Sequence, residues 1–290
     1  MSEFVQFMFS GVTSGAIYAL AALGFALIYN ASNVINFAQG EFIMLGGMAA
    51  AFFNAHGVPL MLAVPLAIAV TAIAGLLVEK LAIEPAKNAD VTTLIIITIG
   101  VSLVMRGLVQ IFLGKNTRPL PSFSGDAPFS ALGATILPQS LWILATTLAT
   151  VAALAWYFGR TRAGKAMLAT SYNRLAAQLV GVNTRAVLLA SFGLAAALGA
   201  LGGVLVAPIT GASYDSGIML GMKGFVAATL GGLGSGMGAV AGGLLLGIVE
   251  AMTAGYLSSS YKDALPFVLI LLVLFFLPNG LFGAKTTERV

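Results

Sequence analysis

Apolar runs separated by short polar segments dominate this chain. Seven runs, about 7–29, 60–78, 91–113, 138–158, 187–207, 237–255 and 264–281, are long enough to be membrane helices. A helix needs roughly 20 apolar residues to cross the hydrocarbon core. Two further runs, about 41–55 and 222–234, are brief or glycine-rich. They are expected as short spans or broken, re-entrant helices. The pattern predicts an all-α polytopic membrane protein with eight or nine transmembrane helices, some short or broken.

The runs also repeat. Ala19-Leu-Ala-Ala-Leu-Gly24 matches Ala197-Leu-Gly-Ala-Leu-Gly202, and Ile43-Met-Leu-Gly46 matches Ile218-Met-Leu-Gly221. An odd number of crossings separates the two units, so the second is expected inverted in the membrane. Each unit carries a polar break just before its second matched block: Asn36-Phe-Ala-Gln-Gly-Glu41 in the first, Ser213-Tyr-Asp-Ser-Gly217 in the second. Irregular backbone at membrane depth survives only where protein or a wet cavity covers it. Transporters place substrate sites at such breaks between inverted repeats. The expected substrate path therefore includes Asn36, Gln39, Glu41, Tyr214 and Asp215. Glu41 has two readings. A carboxylate in the first turn of a helix is stabilised by the helix dipole, by about 0.3–1 kcal/mol when exposed. On the passage, it would meet the ammonium of a solute.

Composition supports the membrane class. Of 290 residues, 59% are hydrophobic and 8% charged, against about 25% charged in a soluble protein. With no cysteine there is no thiol metal site or disulfide, and the one histidine, His56, stands in a Gly/Pro turn. No metal site is expected. The net charge of +4 comes from residues lying between apolar runs, which reads as topology rather than nucleic-acid binding. Lys80, Lys87, Arg160, Arg162, Lys165, Arg174, Arg185, Lys285 and Arg289 fall on one side of the alternating spans. Lys115, Arg118 and Lys262 fall on the other, with Lys223 near a boundary. The positive-inside rule makes the first set cytoplasmic. The first run lacks a basic flank and is expected to be retained as a span. No segment is long enough for a soluble domain, so residues 1–290 form one membrane domain.

The cytoplasmic segment 159–186 holds Gly159-Arg-Thr-Arg-Ala-Gly-Lys165-Ala166. This approaches a phosphate-binding loop but has alanine where the Mg²⁺-holding hydroxyl belongs, and it follows a membrane helix rather than a strand. Leu168, Tyr172, Leu175 and Leu179 recur at helical spacing, with Arg174 off the stripe and Gly181 as the C-cap. An amphipathic helix over about 164–181 is expected, lying on headgroups or docking a cytoplasmic partner. The Gly231–Gly236 stretch is read as a tight turn, and Gly234/Gly238/Gly242 and Gly243/Gly247 as close-packing faces. Arg106 and Glu250 lie within apolar runs. They are expected either to pair with each other or to reach the outer headgroups.

Three stretches resemble the LivH type of bacterial branched-chain amino acid ABC transporter permease. They are INFAQGEFIMLGG (35–47), GVNTRAVLLASFGLAAALGALGGVL (181–205) and the long run from Lys223 to Gly283. The resemblance covers almost the whole chain. It implies a permease subunit in the bacterial cell inner membrane, paired with a LivM-like second permease. It also implies two cytoplasmic ABC ATPase subunits, which bind ATP and Mg, and a periplasmic substrate-binding protein. This chain itself would hold no cofactor and would not be an enzyme. Importer permeases carry an EAAxxxG docking motif. Leu175-Ala-Ala-Gln-Leu-Val-Gly181 keeps the alanines and glycine and replaces the glutamate. Relatives for urea and short amides leave the substrate open. The competing readings are a self-contained secondary transporter, proton- or sodium-coupled at Glu41, and a channel for a small neutral solute.

Overall fold

The computed structural model describes residues 2–86, 89–131, 133–277 and 279–283; the expected cytoplasmic Lys87, Lys285 and Arg289 lie outside them. The first helix, α1 (Ser2–Ser32), has 31 residues without proline, about 46 Å at 1.5 Å per residue. That exceeds the roughly 30 Å hydrocarbon core, so its ends protrude. It stops where Asn33 takes a left-handed φ of 57°, a conformation asparagine tolerates better than most residues. The remaining helices are α2 (Gln39–Ala55), α3 (Leu60–Val78), α4 (Val91–Phe112), α5 (Pro138–Arg160), α6 (Arg162–Tyr172), α7 (Arg174–Leu179), α8 (Thr184–Thr210), α9 (Ser216–Gly231), α10 (Gly236–Tyr256) and α11 (Leu265–Phe276). A π-helical turn, Glu79–Ile83, extends α3. Six of the helices are long and apolar enough to cross a membrane. The fold is all-α and polytopic.

Burial sorts the helices into centre and periphery. The apolar residues of α1 and α8 are mostly buried, whereas α3, α4 and α5 turn large apolar side chains outward, as a lipid-facing rim does. The centre closes through small residues. A Cβ on Gly243 or Gly247 of α10 would strike α1 at Ala19 and Gly15, and one on Gly238 or Gly242 would strike α9. The two glycine faces expected from sequence thus clamp α10 between α1 and α9. Without a hydrophobic force between helices in lipid, such close approach is what holds them. Gly232 and Gly234, at φ 102° and 94°, form the tight turn from α9 to α10.

Three helices fall short of the bilayer. The lengths of α2, α9 and α11, at 17, 16 and 12 residues, correspond to about 26, 24 and 18 Å. Irregular chain supplies the rest. The segment after Ser32 folds back into the bundle, so that α2 opens at depth. Its first residue, Gln39, donates from Nε2 to the Ala195 carbonyl of α8 at 3.0 Å and lies against Gly24 of α1. Gly24 is eight residues inside the end of α1, about 12 Å.

Between α4 and α5, Phe129–Ala131 (β1) and Ala134–Ile136 (β2) form a short antiparallel hairpin. Gln6 brackets Thr135 through both its amide atoms. Arg118 pairs backbone to backbone with Ala212, covering the break before α9. Two expectations need correction. Residues 164–181 are not one helix: Asn173, extended at φ −158°, ends α6 and caps α7, its Oδ1 accepting from Ala176 N at 2.9 Å. A capping asparagine outcompetes helix continuation. Lys223 is not near a boundary, because α9 begins seven residues earlier and buries it.

Candidate translocation site

A stripe on α4 builds the site. Thr98, Ser102 and Arg106 recur every fourth residue and so share one helix face. All three meet the broken segment before and within α2. Thr98 Oγ1 accepts from Phe37 N at 3.2 Å. Ser102 Oγ donates to Glu41 Oε1 at 2.8 Å, and Arg106 Nη2 donates to the same oxygen in an ion pair. Glu41 is 2% exposed. It does lie in the first turn of α2, but as a buried member of an ion pair rather than an exposed cap.

The pair opens onto a cleft of about 170 Å³ between α2, α4 and α9, which Phe25 and Phe37 also line. At its floor the broken ends of α2 and α9 come into backbone contact, with Met44 beside it. A Cβ on Gly217 would lie 2.6 Å from the Gly40 carbonyl oxygen, and one on Gly221 would lie 2.7 Å from the Gly40 Cα. Both helices therefore begin at the same depth and present their N-terminal ends there, each carrying about half a positive charge. The cleft is apolar except for Glu41, Ser102 and Arg106. Glu41 Oε2 and Arg106 Nε are buried without a protein partner. The charges neutralise each other, yet one acceptor and one donor remain free.

The other expected path residues lie elsewhere. Gln39 points between α1 and α8 and is fully buried. Asn36 accepts from Ala38 N at 3.1 Å, shaping the break. Tyr214 packs in an apolar cluster with Met44, Met48 and Leu120, and the exposed Asp215 accepts from Ser213 Oγ at 2.6 Å. Of the five, the structure brings only Glu41 to the cleft. Ser102 and the glycines Gly40, Gly217 and Gly221 were missed by sequence reasoning. The four-residue spacing Thr98-Ser102-Arg106 was the available signal.

Arg106 and Glu250 do not pair with each other; Arg106 is bound to Glu41. Glu250 accepts from Lys223 Nζ at 2.7 Å. Lys223 also donates to Asp263 at 2.8 Å and lies over the Tyr18 ring, 5.6 Å from its centroid. Each charge found the oppositely charged side chain of a neighbouring helix. Buried charges survive only so paired.

In α6 and α7, Tyr172, Leu175 and Leu179 are largely exposed, as is Arg174. Leu168, 39% exposed, also borders an apolar cavity. Gly181, at φ 87°, ends α7, and the next amide, Val182 N, bonds back to Ala177 O at 3.0 Å. Among the described residues, no group of His, Cys, Asp and Glu side chains is arranged to hold a metal.

Comparison with known proteins places this arrangement. Residues 7–274 match the family model described as branched-chain amino acid transport system / permease component. The high-affinity branched-chain amino acid transport system permease protein LivH of Escherichia coli (strain K12) is 36% identical, covering 99% of this chain and 98% of its own. BraD of Pseudomonas aeruginosa, a permease protein of the same kind of system, is 33% identical with the same coverage. More distantly, the ribose import permease protein RbsC of Haemophilus influenzae is 25% identical over 93% of this chain and 84% of its own. The solved structure of PsaBC from Streptococcus pneumoniae in complex with Fab shares the fold at a TM-score of 0.54 and 14% identity, covering 96% of both chains. Full-length relatives, a spanning family match and a polytopic helical fold agree: the chain belongs to the branched-chain amino acid transport system permease family.

Proposed function

We propose that this chain is a permease subunit of an ATP-driven importer in the inner membrane, forming half of a path for branched-chain amino acids or related small amino acids and amides. Its partners in this reading are a LivM-like second permease, two ATPases that bind ATP and Mg, and a periplasmic binding protein. The observation that carries it is the family match over residues 7–274 together with the self-neutralised cleft where two short helices begin. A net anionic site would trap a zwitterion. Here Glu41 is already paired, so its free oxygen meets an ammonium weakly and releases it. The apolar wall, with Phe25, Phe37 and Phe225, suits a branched aliphatic side chain.

The inverted repeat is part of the proposal. Exchanging α1 with α8, α2 with α9, α3 with α10 and α4 with α11 maps the main helix contacts onto each other. The α1–α10 packing becomes α8–α3, α2–α8 becomes α9–α1, α2–α3 becomes α9–α10, and α2–α4 becomes α9–α11. The α2–α9 contact maps onto itself, which supports an axis through Gly40 and Gly217. Because the chain lacks cysteine, single cysteines need no background removal. Asn33→Cys should react with impermeant thiol reagents from the cytoplasm, and Ser213→Cys from outside. Labelling of both from one side would defeat the inversion.

The segment 159–186 serves as the ATPase-coupling arm, with Tyr172, Leu175 and Leu179 as the exposed apolar contacts, Arg174 beside them, Gly181 closing the turn and Leu168 anchoring the arm to the bundle. Uptake of labelled leucine, isoleucine and valine into proteoliposomes tests the whole reading. It should need the partner ATPases, ATP and the binding protein. Concentrative uptake by this chain alone under a proton or sodium gradient would overturn it in favour of a secondary transporter. Glu41→Gln tests the cleft: the complex should assemble and hydrolyse ATP, but uptake should fall at least tenfold.

A further inference from the structure

A cavity of about 260 Å³ lies in the cytoplasmic half of the bundle, enclosed by α1, α5, α6, α8 and α10. Its walls are apolar: Leu23 and Leu27 of α1, Val151, Leu154 and Phe158 of α5, and Met237 of α10. Three polar side chains reach it, and each already donates to a backbone carbonyl. Asn30 Nδ2 donates to Gly234 O at 2.9 Å, Ser171 Oγ to Leu168 O at 2.8 Å, and Ser191 Oγ to Val187 O at 2.8 Å. A buried water needs two to four polar partners, and an apolar cavity of even about 150 Å³ stays dry and takes up hydrocarbon. The same reasoning excludes a zwitterion. The outer wall is α5, which is buried only at Gln139, Ile143 and Thr147 in its outer half. In its cytoplasmic half Val151, Leu154 and Phe158 are only partly buried against the bundle, and the other faces are exposed.

The corner where α5 turns into α6, beside this cavity, is basic. Arg160 ends α5 two residues beyond Phe158, Arg162 opens α6, and Lys165 lies two residues before Met167, another lining residue. All three are exposed, none joins an ion pair among the described residues, and the sequence from 159 to 186 contains no acid. Clusters of Lys and Arg on the cytoplasmic side, beside a crevice between membrane helices, recognise anionic headgroups. We propose that this pocket holds an acyl chain of an anionic inner-leaflet phospholipid, with its phosphate on Arg160, Arg162 and Lys165. The inference rests on the cytoplasmic placement of 159–186 and not on which solute is carried. Met167 and Leu168 of α6 wall the same cavity, so the lipid also stiffens the arm that leads to α7.

The test uses the complex containing this chain in nanodiscs of equal parts phosphatidylglycerol and phosphatidylethanolamine, with a trace of either lipid spin-labelled on its chain. The wild type should immobilise labelled phosphatidylglycerol in excess over phosphatidylethanolamine. Each basic residue near an anionic surface contributes about 1 kcal/mol, about fivefold in affinity. Arg162→Gln with Lys165→Gln should therefore erase most of that preference. Ala155→Phe, which fills the cavity from α5, should release the immobilised label while leaving the basic corner intact. Equal immobilisation of the two lipids by the wild type would overturn the proposal. So would a double Gln variant that loses its ATPases but keeps its lipid preference, since that assigns the basic corner to a protein partner. Unchanged immobilisation in Ala155→Phe would remove the acyl chain from the cavity and overturn it as well.

Discussion

Replacing Arg106 with Met tests whether the pair at the cleft is a true buried ion pair. Glu41 is 2% exposed, with only Ser102 Oγ, at 2.8 Å, left to it once the guanidinium is gone. Removing one partner of a buried pair typically costs about 3–5 kcal/mol, because the other charge stays desolvated and alone. Three kcal/mol alone is more than a hundredfold in the folding equilibrium. The reverse change, Glu41→Gln, should cost less, about 1–3 kcal/mol. The Arg106 side chain is 21% exposed, and its long stem can move the charge toward polar surroundings. The double variant Glu41→Met, Arg106→Met should recover most of the loss, since apolar replacement of a buried pair is often neutral or stabilising. The assay is equilibrium unfolding in mixed micelles, followed by helical circular dichroism, for the wild type, both single Met variants and the double. If Arg106→Met falls within about 0.5 kcal/mol of wild type, or the singles add to the double within about 0.3–0.5 kcal/mol, the buried-pair reasoning is refuted.

Three further outcomes are expected. Changing Leu175 and Leu179 to Asp should release the ATPases from the complex while leaving membrane insertion intact; co-purification at normal yield would remove α7 from the docking surface. Gly217→Ala places a Cβ 3.0 Å from the Gly40 carbonyl carbon and from Met44 Cβ, an overpacking that costs about 1–3 kcal/mol, and it should abolish uptake; normal uptake and stability would show that α2 and α9 are not held at contact. The hydrogen bond from Lys223 holds the Asp263 carboxyl below the usual carboxylate range, so its stabilisation is complete above about pH 4 and is lost as pH falls through the lowered value. For a half-exposed partner that is at most about 1 kcal/mol, and Asp263→Asn should flatten this acid limb; an unchanged acid limb would mean the contact carries no stability.

Hydropathy made six long spans legible among the described residues, because each apolar run answers to a fixed bilayer thickness, whereas the seventh run, 264–281, holds only the twelve-residue α11. It also flagged the two short runs, and the polar breaks before them told that the backbone there is irregular. What it did not give was direction in space. Gln39, Glu41 and Asn36 lie within six residues, yet one faces α8, one faces α4 and one folds onto its own break. Outside a regular helix, side-chain direction has no period to read. The charges at 106, 223 and 250 were visible, but a partner is a tertiary fact. The sequence offers Glu41, Glu250 and Asp263 to two cations, and only packing decides who meets whom. The single helix expected over 164–181 failed for a local reason: the spacing of Leu168, Tyr172, Leu175 and Leu179 does not register the capping Asn173 between them.

The meeting of Gly40 with Gly217 and Gly221 has a kinetic consequence. A barrier made of side chains leaks whenever a rotamer flips, and exposed rotamers flip in picoseconds to nanoseconds. The three glycines themselves carry no side chain to flip. Opening requires two helices to separate as bodies, and collective motions of that kind take microseconds to milliseconds. A closure of bare backbone therefore filters out fast thermal fluctuation. It yields only to a slow, concerted displacement, such as one delivered from the cytoplasmic ends of the helices.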